Sequence, residues 1–321
     1  LDAHPFVGEF QWDSNFQISF NRNTLVALSG TTAASIVGYG QWSDVVCVSE
    51  IGKPLYNFYG YVVEGVYESL EDIENSPKTA KHPANGVYNR ANTVWVGDLK
   101  YKDINEDGVI DTQDRTDIGS PLPLFTFGWN NTFRYKGFDL NIFLNGSYGN
   151  KVLNYSLMNG PSGGLASMRS AWVNQNNDAI KDRAQLVPID PDKVYEDGSM
   201  WYNDITNVKV ANSGTKTPRP TLNDPNDNDR LSTRYIEDGS YLRIKNLTLG
   251  YTFPKKWMQK IKFDNIRIYC NIQNLYTFTK YSGYDPEVGA STQDSSGYAY
   301  GVDNGRYPSP TTYSFGVSLT F

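Results

Sequence analysis

The chain has 321 residues, a formal net charge of −6, 14% aromatic residues and only two Cys and two His. No dense basic patch argues for nucleic acid, two cysteines outside any CxxC do not make a disulfide scaffold, and His4 and His82 are too few for a histidine-based catalytic or zinc site. No run of about 18 apolar residues occurs, which excludes membrane helices but leaves open a membrane β-barrel, whose alternating strands average to a polar hydropathy.

The opening LDAHPFVGEF lacks the charged start, apolar stretch and cleavage site of a signal peptide. It reads as the interior of a longer protein, with the N-terminal part missing. Residues 9–20 then alternate: Phe10, Trp12, Phe16, Ile18 and Phe20 share one face, and Glu9, Gln11, Asp13, Asn15, Gln17 and Ser19 the other. That period of two is the mark of a strand with chemically different faces. A turn at 21–23 leads into TLVAL, and PLYNFYGYVVEGVY (54–67) reads as a further strand, aromatic on both faces in places.

Residues 103–114 read DINEDGVIDTQD. Asp103, Asn105, Asp107, Val109 (through its carbonyl), Asp111 and Asp114 fall at positions 1, 3, 5, 7, 9 and 12 of a calcium loop, with Gly108 at the sharp turn of position 6. Such hard oxygen donors suit Ca²⁺, although Asp at position 12 reaches less far than the usual Glu and implies weak binding. No amphipathic helices flank the loop, so it is not an EF-hand domain. The competing reading is a loop held by its own side-chain-to-backbone bonds.

Residues 124–149 predict a hairpin. Phe125, Phe127, Trp129 and Phe133 line one face; after RYKGF turns, Phe138, Leu140, Ile142, Leu144 and Tyr148 continue it. SYLRIKNLTLGYTF (240–253) changes phase near Lys245 to Leu247, as a bulge would make it do. In 265–276, Ile266, Ile268, Cys270, Ile272 and Tyr276 alternate with Asn265, Arg267, Asn271 and Gln273, so Cys270 reads as an apolar-face filler. The last strand, TTYSFGVSLTF, alternates strictly to an aromatic Phe321; an amphipathic strand closing on an aromatic residue looks like the assembly signal of outer-membrane barrels. About eight strands are expected, more plausibly part of a larger barrel than a closed small one. With Phe321 at the periplasmic side, the turns at 21–23, 49–54, 134–137 and 254–263 fall there too. The segments 29–42, 68–122, 150–239 and 277–309 fall outside, and the last three read as long extracellular loops. Short inner turns and long outer loops are the asymmetry of outer-membrane barrels.

No catalytic constellation appears. The acidic stretches PNDNDR (225–230) and YEDGS (195–199) read as solvated turns, and Trp172, Trp201 and Tyr202 either stack on sugars or pack loop cores.

Residues 97–150, together with YLRIKNLTLGYTFP (241–254), NIQNLYTFTKYSGYDPEV (271–288) and YPSPTTYSFGVSLTF (307–321), resemble, in order, the C-terminal barrel sequences of SusC/RagA-type TonB-linked outer-membrane proteins. The resemblance implies an all-β fold: an antiparallel transmembrane segment of a barrel of about 22 strands, in the outer membrane of Bacteroidetes. It implies a plug domain and a TonB-coupling segment outside residues 1–321, a SusD-like lipoprotein lid on the outer loops, and import of glycans or peptides. It implies no enzymatic activity. The alternative is a soluble secreted carbohydrate-binding β protein with a calcium-stiffened loop.

Overall fold

The computed structural model describes residues 1–28, 35–40, 45–159, 182–221, 224–261, 263–290 and 297–321. Its largest element is a sheet of seven strands: β1 (Asp2–Val7), β2 (Phe10–Ser19), β3 (Phe125–Tyr135), β4 (Phe138–Tyr148), β5 (Tyr241–Thr252), β6 (Asn265–Thr279) and β7 (Thr312–Thr320). They pair in chain order, antiparallel throughout, as an up-and-down wall. The pairing is that of one stretch of an up-and-down β-barrel wall.

The register joins the alternating apolar residues into one surface. Phe16, Trp129, Leu144, Ile244 and Tyr276 lie in one row across β2 to β6, and Leu140, Leu249, Cys270 and Phe315 in another across β4 to β7. The phase change expected near Lys245 is a β-bulge: Ile244 and Asn246 face consecutive residues Leu144 and Phe143 of β4, leaving Lys245 unmatched. Asn274, with φ of 51°, lies in the matching irregularity on β6, between the partners of Asn246 and Ile244.

Two ends follow from this pairing. The short connections are Gly8–Glu9, Lys136–Gly137 and the segment 253–264, which holds the helix Lys255–Ile261. Lys136 (φ 47°) and Gly137 (φ 89°) form a two-residue hairpin turn with both residues left-handed, the type whose twist matches the strands. A Cβ on Gly137 would lie 2.6 Å from the Thr252 carbonyl oxygen. The long connections 20–124, 149–240 and 280–311 all leave from the opposite end.

This corrects the expected strand count and part of the expected topology. The turn at 21–23 lies at the long-loop end, and the first long segment runs from 20 to 124 rather than from 68 to 122. The described residues of 24–67 contribute no wall strand. Ser35–Tyr39, Val45–Glu50, Asn57–Gly60 and Thr116–Gly119 instead form a separate four-stranded sheet. The reason is in the pattern: Val45, Val46, Cys47 and Val48 are apolar in succession, and Val46 and Cys47 are fully buried, as suits a strand with protein on both faces. The first wall strand was hidden by Pro5. Its pairing with β2 is irregular between Ala3 and Phe6, around that proline.

The long segments fold together into a unit with two apolar cores. One gathers Tyr67, Ile73, Trp95, Val96, Leu99, Tyr101 and Val208; the other gathers Val46, Phe58, Leu153, Tyr155, Tyr235 and Val302. The two draw side chains from segments far apart in sequence, so the described parts of these connections pack together.

Candidate functional site

The apolar face of the wall is uncovered. Leu249 (52%), Phe278 (52%) and Val317 (64%) keep about half or more of their surface exposed, so the rows do not meet a second sheet across a dry interior. Aromatic rings gather at both ends of this face. At the short-turn end Phe6, Phe10, Trp12 and Phe133 stack in series, and Phe138, Tyr251, Phe253 and Trp257 follow at centroid spacings of 4.5, 5.1 and 6.2 Å. At the long-loop end stand Phe20, Phe125, Phe127 and Tyr148, with Tyr276 and Phe278. Aliphatic Leu140, Ile142, Leu247, Leu249 and Ile272 occupy the band between. An apolar band flanked by two aromatic girdles is the pattern of a barrel wall in a bilayer. Two indole N–H groups on this face find partners within it: Trp12 donates to Asn131 Oδ1 (3.0 Å) and Trp129 to Ser14 Oγ (2.9 Å). An unpaired donor there would carry a desolvation cost.

The opposite face is polar and bonded to itself. Asn141 Nδ2 donates to Asn130 Oδ1 and Thr132 Oγ1, and Asn271 Nδ2 to Asn246 Oδ1 and Thr248 Oγ1. Arg267 forks onto Asp139 at 3.0 and 2.6 Å. Gly250 makes room for that pair, since a Cβ there would meet both groups at 2.4–2.6 Å. Asp13 pairs with Arg134 and His4.

At the long-loop end of this polar face, Arg243 fastens the segment 280–311 to the wall. Its guanidinium is 2% exposed and reaches Asp285 (2.5 Å), Glu287 (2.7 Å) and Thr277 Oγ1 (2.8 Å). Burial raises the pKa of Asp285, but N–H groups of Glu287 and Ser309 and the charge of Arg243 outweigh it and leave the carboxyl below its ordinary value.

A second buried network holds the loop unit. Asp98, fully buried, lies 2.8 Å from Arg219 Nε and accepts from Asn228 Nδ2, which also donates to Asp224. Asn226 donates to the Leu99 carbonyl and to Asn228. Burial prevails for both acids: Asp98 is raised despite Arg219, and Asp224 is pushed up to about 7. Residues 225–230, expected as a solvated turn, thus include two of the most buried amides of the unit, Asn226 and Asn228. Sequence reasoning had no signal for this, because Arg219 is distant and unpatterned.

The predicted calcium loop closes on itself. Asp103 accepts from the N–H groups of Glu106 and Gly108, Asp107 from Val109, and Asp111 from Gln113; Asn105 bonds Asp107. Asp114, fully buried, accepts from Ile104 and Asp111. Val109 forms a short parallel bridge with Lys78. Gly108 has φ of 85°, as the sharp turn requires. Among the described residues no three acidic, histidine or cysteine side chains converge as metal ligands, and the carboxylates of this loop accept from its own backbone.

Trp201 packs on the first loop core, and Tyr202 stacks beneath Arg90. Trp172 lies outside the described residues. Cys270 faces the bilayer side between Leu249 and Phe315, as expected. Phe321 is 91% exposed, with its ring edge-on to Phe263.

Known proteins match this geometry. TonB-dependent receptor P3 of Formosa agariphila is 30% identical over 98% of the chain, and TonB-dependent receptor SusC of Bacteroides thetaiotaomicron is 24% identical over all of it. The chain is a homologue of SusC-type TonB-dependent receptors. It spans about a quarter of the length of these relatives, 27% and 26%. Solved structures of the RagAB peptide transporter, and of the RagAB peptide importer in its closed-closed state, align with the whole chain at TM-scores of 0.62 and 0.63 and 18% identity, covering 28% of each. That likeness speaks for the fold. No family model matches the chain.

Proposed function

We propose that this chain is part of the wall and outer loop unit of a TonB-dependent importer in the bacterial outer membrane, acting on nutrient oligomers. The carrying observation is the continuous apolar face with aromatic girdles at both ends, backed by a polar face bonded to itself: one side suits hydrocarbon and the other a wet lumen. Homology to SusC-type receptors supports the same reading. The long-loop end faces outwards, where its folded unit offers a platform for a SusD-like lipoprotein. TonB engages the protein elsewhere and supplies the driving force. The substrate is a glycan or a peptide. The loop 103–114 takes Ca²⁺ weakly, as a stiffener of an already closed loop.

Fractionation of cells producing the full-length protein tests the membrane assignment. The protein is expected in the outer-membrane fraction, released by detergent and not by salt or carbonate, with a folded form that migrates differently after boiling. Recovery in the soluble fraction would defeat the reading. Co-purification of a lipoprotein in detergent tests the partner.

A further inference from the structure

We propose that the short-turn end of the wall binds one anionic glycerophospholipid, with an acyl chain in a groove of the apolar face and the phosphate held by lysines at its rim. The inference rests on the wall spanning a bilayer. It goes further by choosing one place and one headgroup charge.

The groove has a volume of about 490 Å³ and lies between β4, β5, β6 and β7, lined by Phe138, Leu249, Ile268, Cys270, Phe315 and Val317. It exists because Cys270 is small and stands in one row between Leu249 and Phe315. Every one of these side chains is on the bilayer face, so the occupant is hydrocarbon. Its rim is the aromatic series Phe138, Tyr251, Phe253, Trp257, which leads to the helix Lys255–Ile261. Trp257 is 57% exposed there, at the level where indole rings favour the headgroup region.

Charge settles the headgroup. Lys255 and Lys256 are exposed on this helix, and Lys136 is exposed in the β3–β4 turn, which bonds to Thr252 beside Tyr251. Among the described residues none of the three is ion-paired, although Lys136 also lies 5.0 Å from the Tyr135 ring. Among the described residues the exposed side-chain carboxylates at this end are Glu9, in the β1–β2 turn, and Asp264, which with the Phe321 carboxylate lies at the start of β6 and end of β7, while Asp139 is taken by Arg267 on the polar face. The three lysines gather at the β3–β4 turn and the helix after β5, and a lysine near a membrane surface favours anionic lipid roughly fivefold.

The test is lipid retention by the full-length protein in detergent, read by native mass spectrometry with phosphatidylglycerol or phosphatidylcholine added. Wild type is expected to hold one phosphatidylglycerol at detergent levels that strip phosphatidylcholine. The triple variant Lys136→Ala, Lys255→Ala, Lys256→Ala is expected to lose that preference by about tenfold or more while still retaining either lipid weakly. Cys270→Trp fills the groove and is expected to lose both. Equal retention of the two lipids by wild type, or undiminished preference in the triple variant, overturns the proposal. Heat-dependent migration of each variant shows that the barrel has folded; a wild-type protein that never inserts would defeat the membrane reading itself, a result distinct from lost selectivity.

Discussion

At the scale of residues, two buried acids give opposite kinds of test. Asp224 is a carboxyl whose pKa rises to about 7 on folding, because burial outweighs the N–H groups of Asn228 and Asp229, and the carboxylates of Asp229 and Asp98 add to the rise. A raised acid binds more protons folded than unfolded, so stability is full below about pH 4 and falls as pH rises towards 7. Asp98 shifts the same way. Unfolding of the loop unit, followed through buried Trp95, is expected to require less heat at pH 7 than at pH 5, and Asp224→Asn is expected to flatten most of that slope. A slope unchanged in the variant would place the titration elsewhere. Asp114 tests the calcium reading. Because its two oxygens already accept N–H bonds from Ile104 and Asp111, Asp114→Ala leaves two donors bare and is expected to cost about 2–4 kcal/mol. Chelating calcium is expected to cost less, on the order of 1 kcal/mol or below. If the chelator destabilises as much as the substitution, the ion holds the loop and the internal bonds are secondary.

At the scale of elements, adjacent residues of one strand separate lipid from lumen. Phe315 pairs with Cys270 on the bilayer face, in the row of Leu249, and Ser314 pairs with Asn271 on the polar face. Phe315→Arg is expected to destabilise refolding into vesicles by about 2–4 kcal/mol, and Ser314→Arg by less than about 1 kcal/mol. Equal costs would mean that neither face meets hydrocarbon. The same periodicity explains what could be read in advance. Six wall strands, the bulge at Lys245 and the place of Cys270 follow from alternation, because a wall between oil and water writes its two solvents into every second residue. β1 escaped because Pro5 and an irregular register break the pattern. Residues 54–67 misled for the opposite reason: Asn57–Gly60 and Val63–Val66 are true strands, but they pack within the loop unit, and an apolar run does not say which sheet it joins.

At the scale of the molecule, the segments that sequence reading leaves as loops make up most of the chain and form a body with its own cores. Their key contacts join residues more than a hundred positions apart, as with Asp98 and both Arg219 and Asn228, and no local pattern announces such pairings. Whether this body is rigid before any partner arrives is testable. Leu99 N–H is buried and donates to Asn228, Gly97 N–H donates to Tyr67, and Trp95 N–H donates to Asp98. Arg219 compensates the buried charge beside them. Opening this stretch would strip an ion pair and an apolar core together, so these amides should exchange only through unfolding of the whole unit. Hydrogen exchange on the detergent-solubilised protein is therefore expected to show residues 95–101 protected to the same order as the centre of β5, with the exposed tip around Asn85–Val87 exchanging at once. Exchange within seconds across 95–101 would mean that the unit forms only when something binds it, and the platform proposed for a lipoprotein partner would then be built by that partner instead of awaiting it.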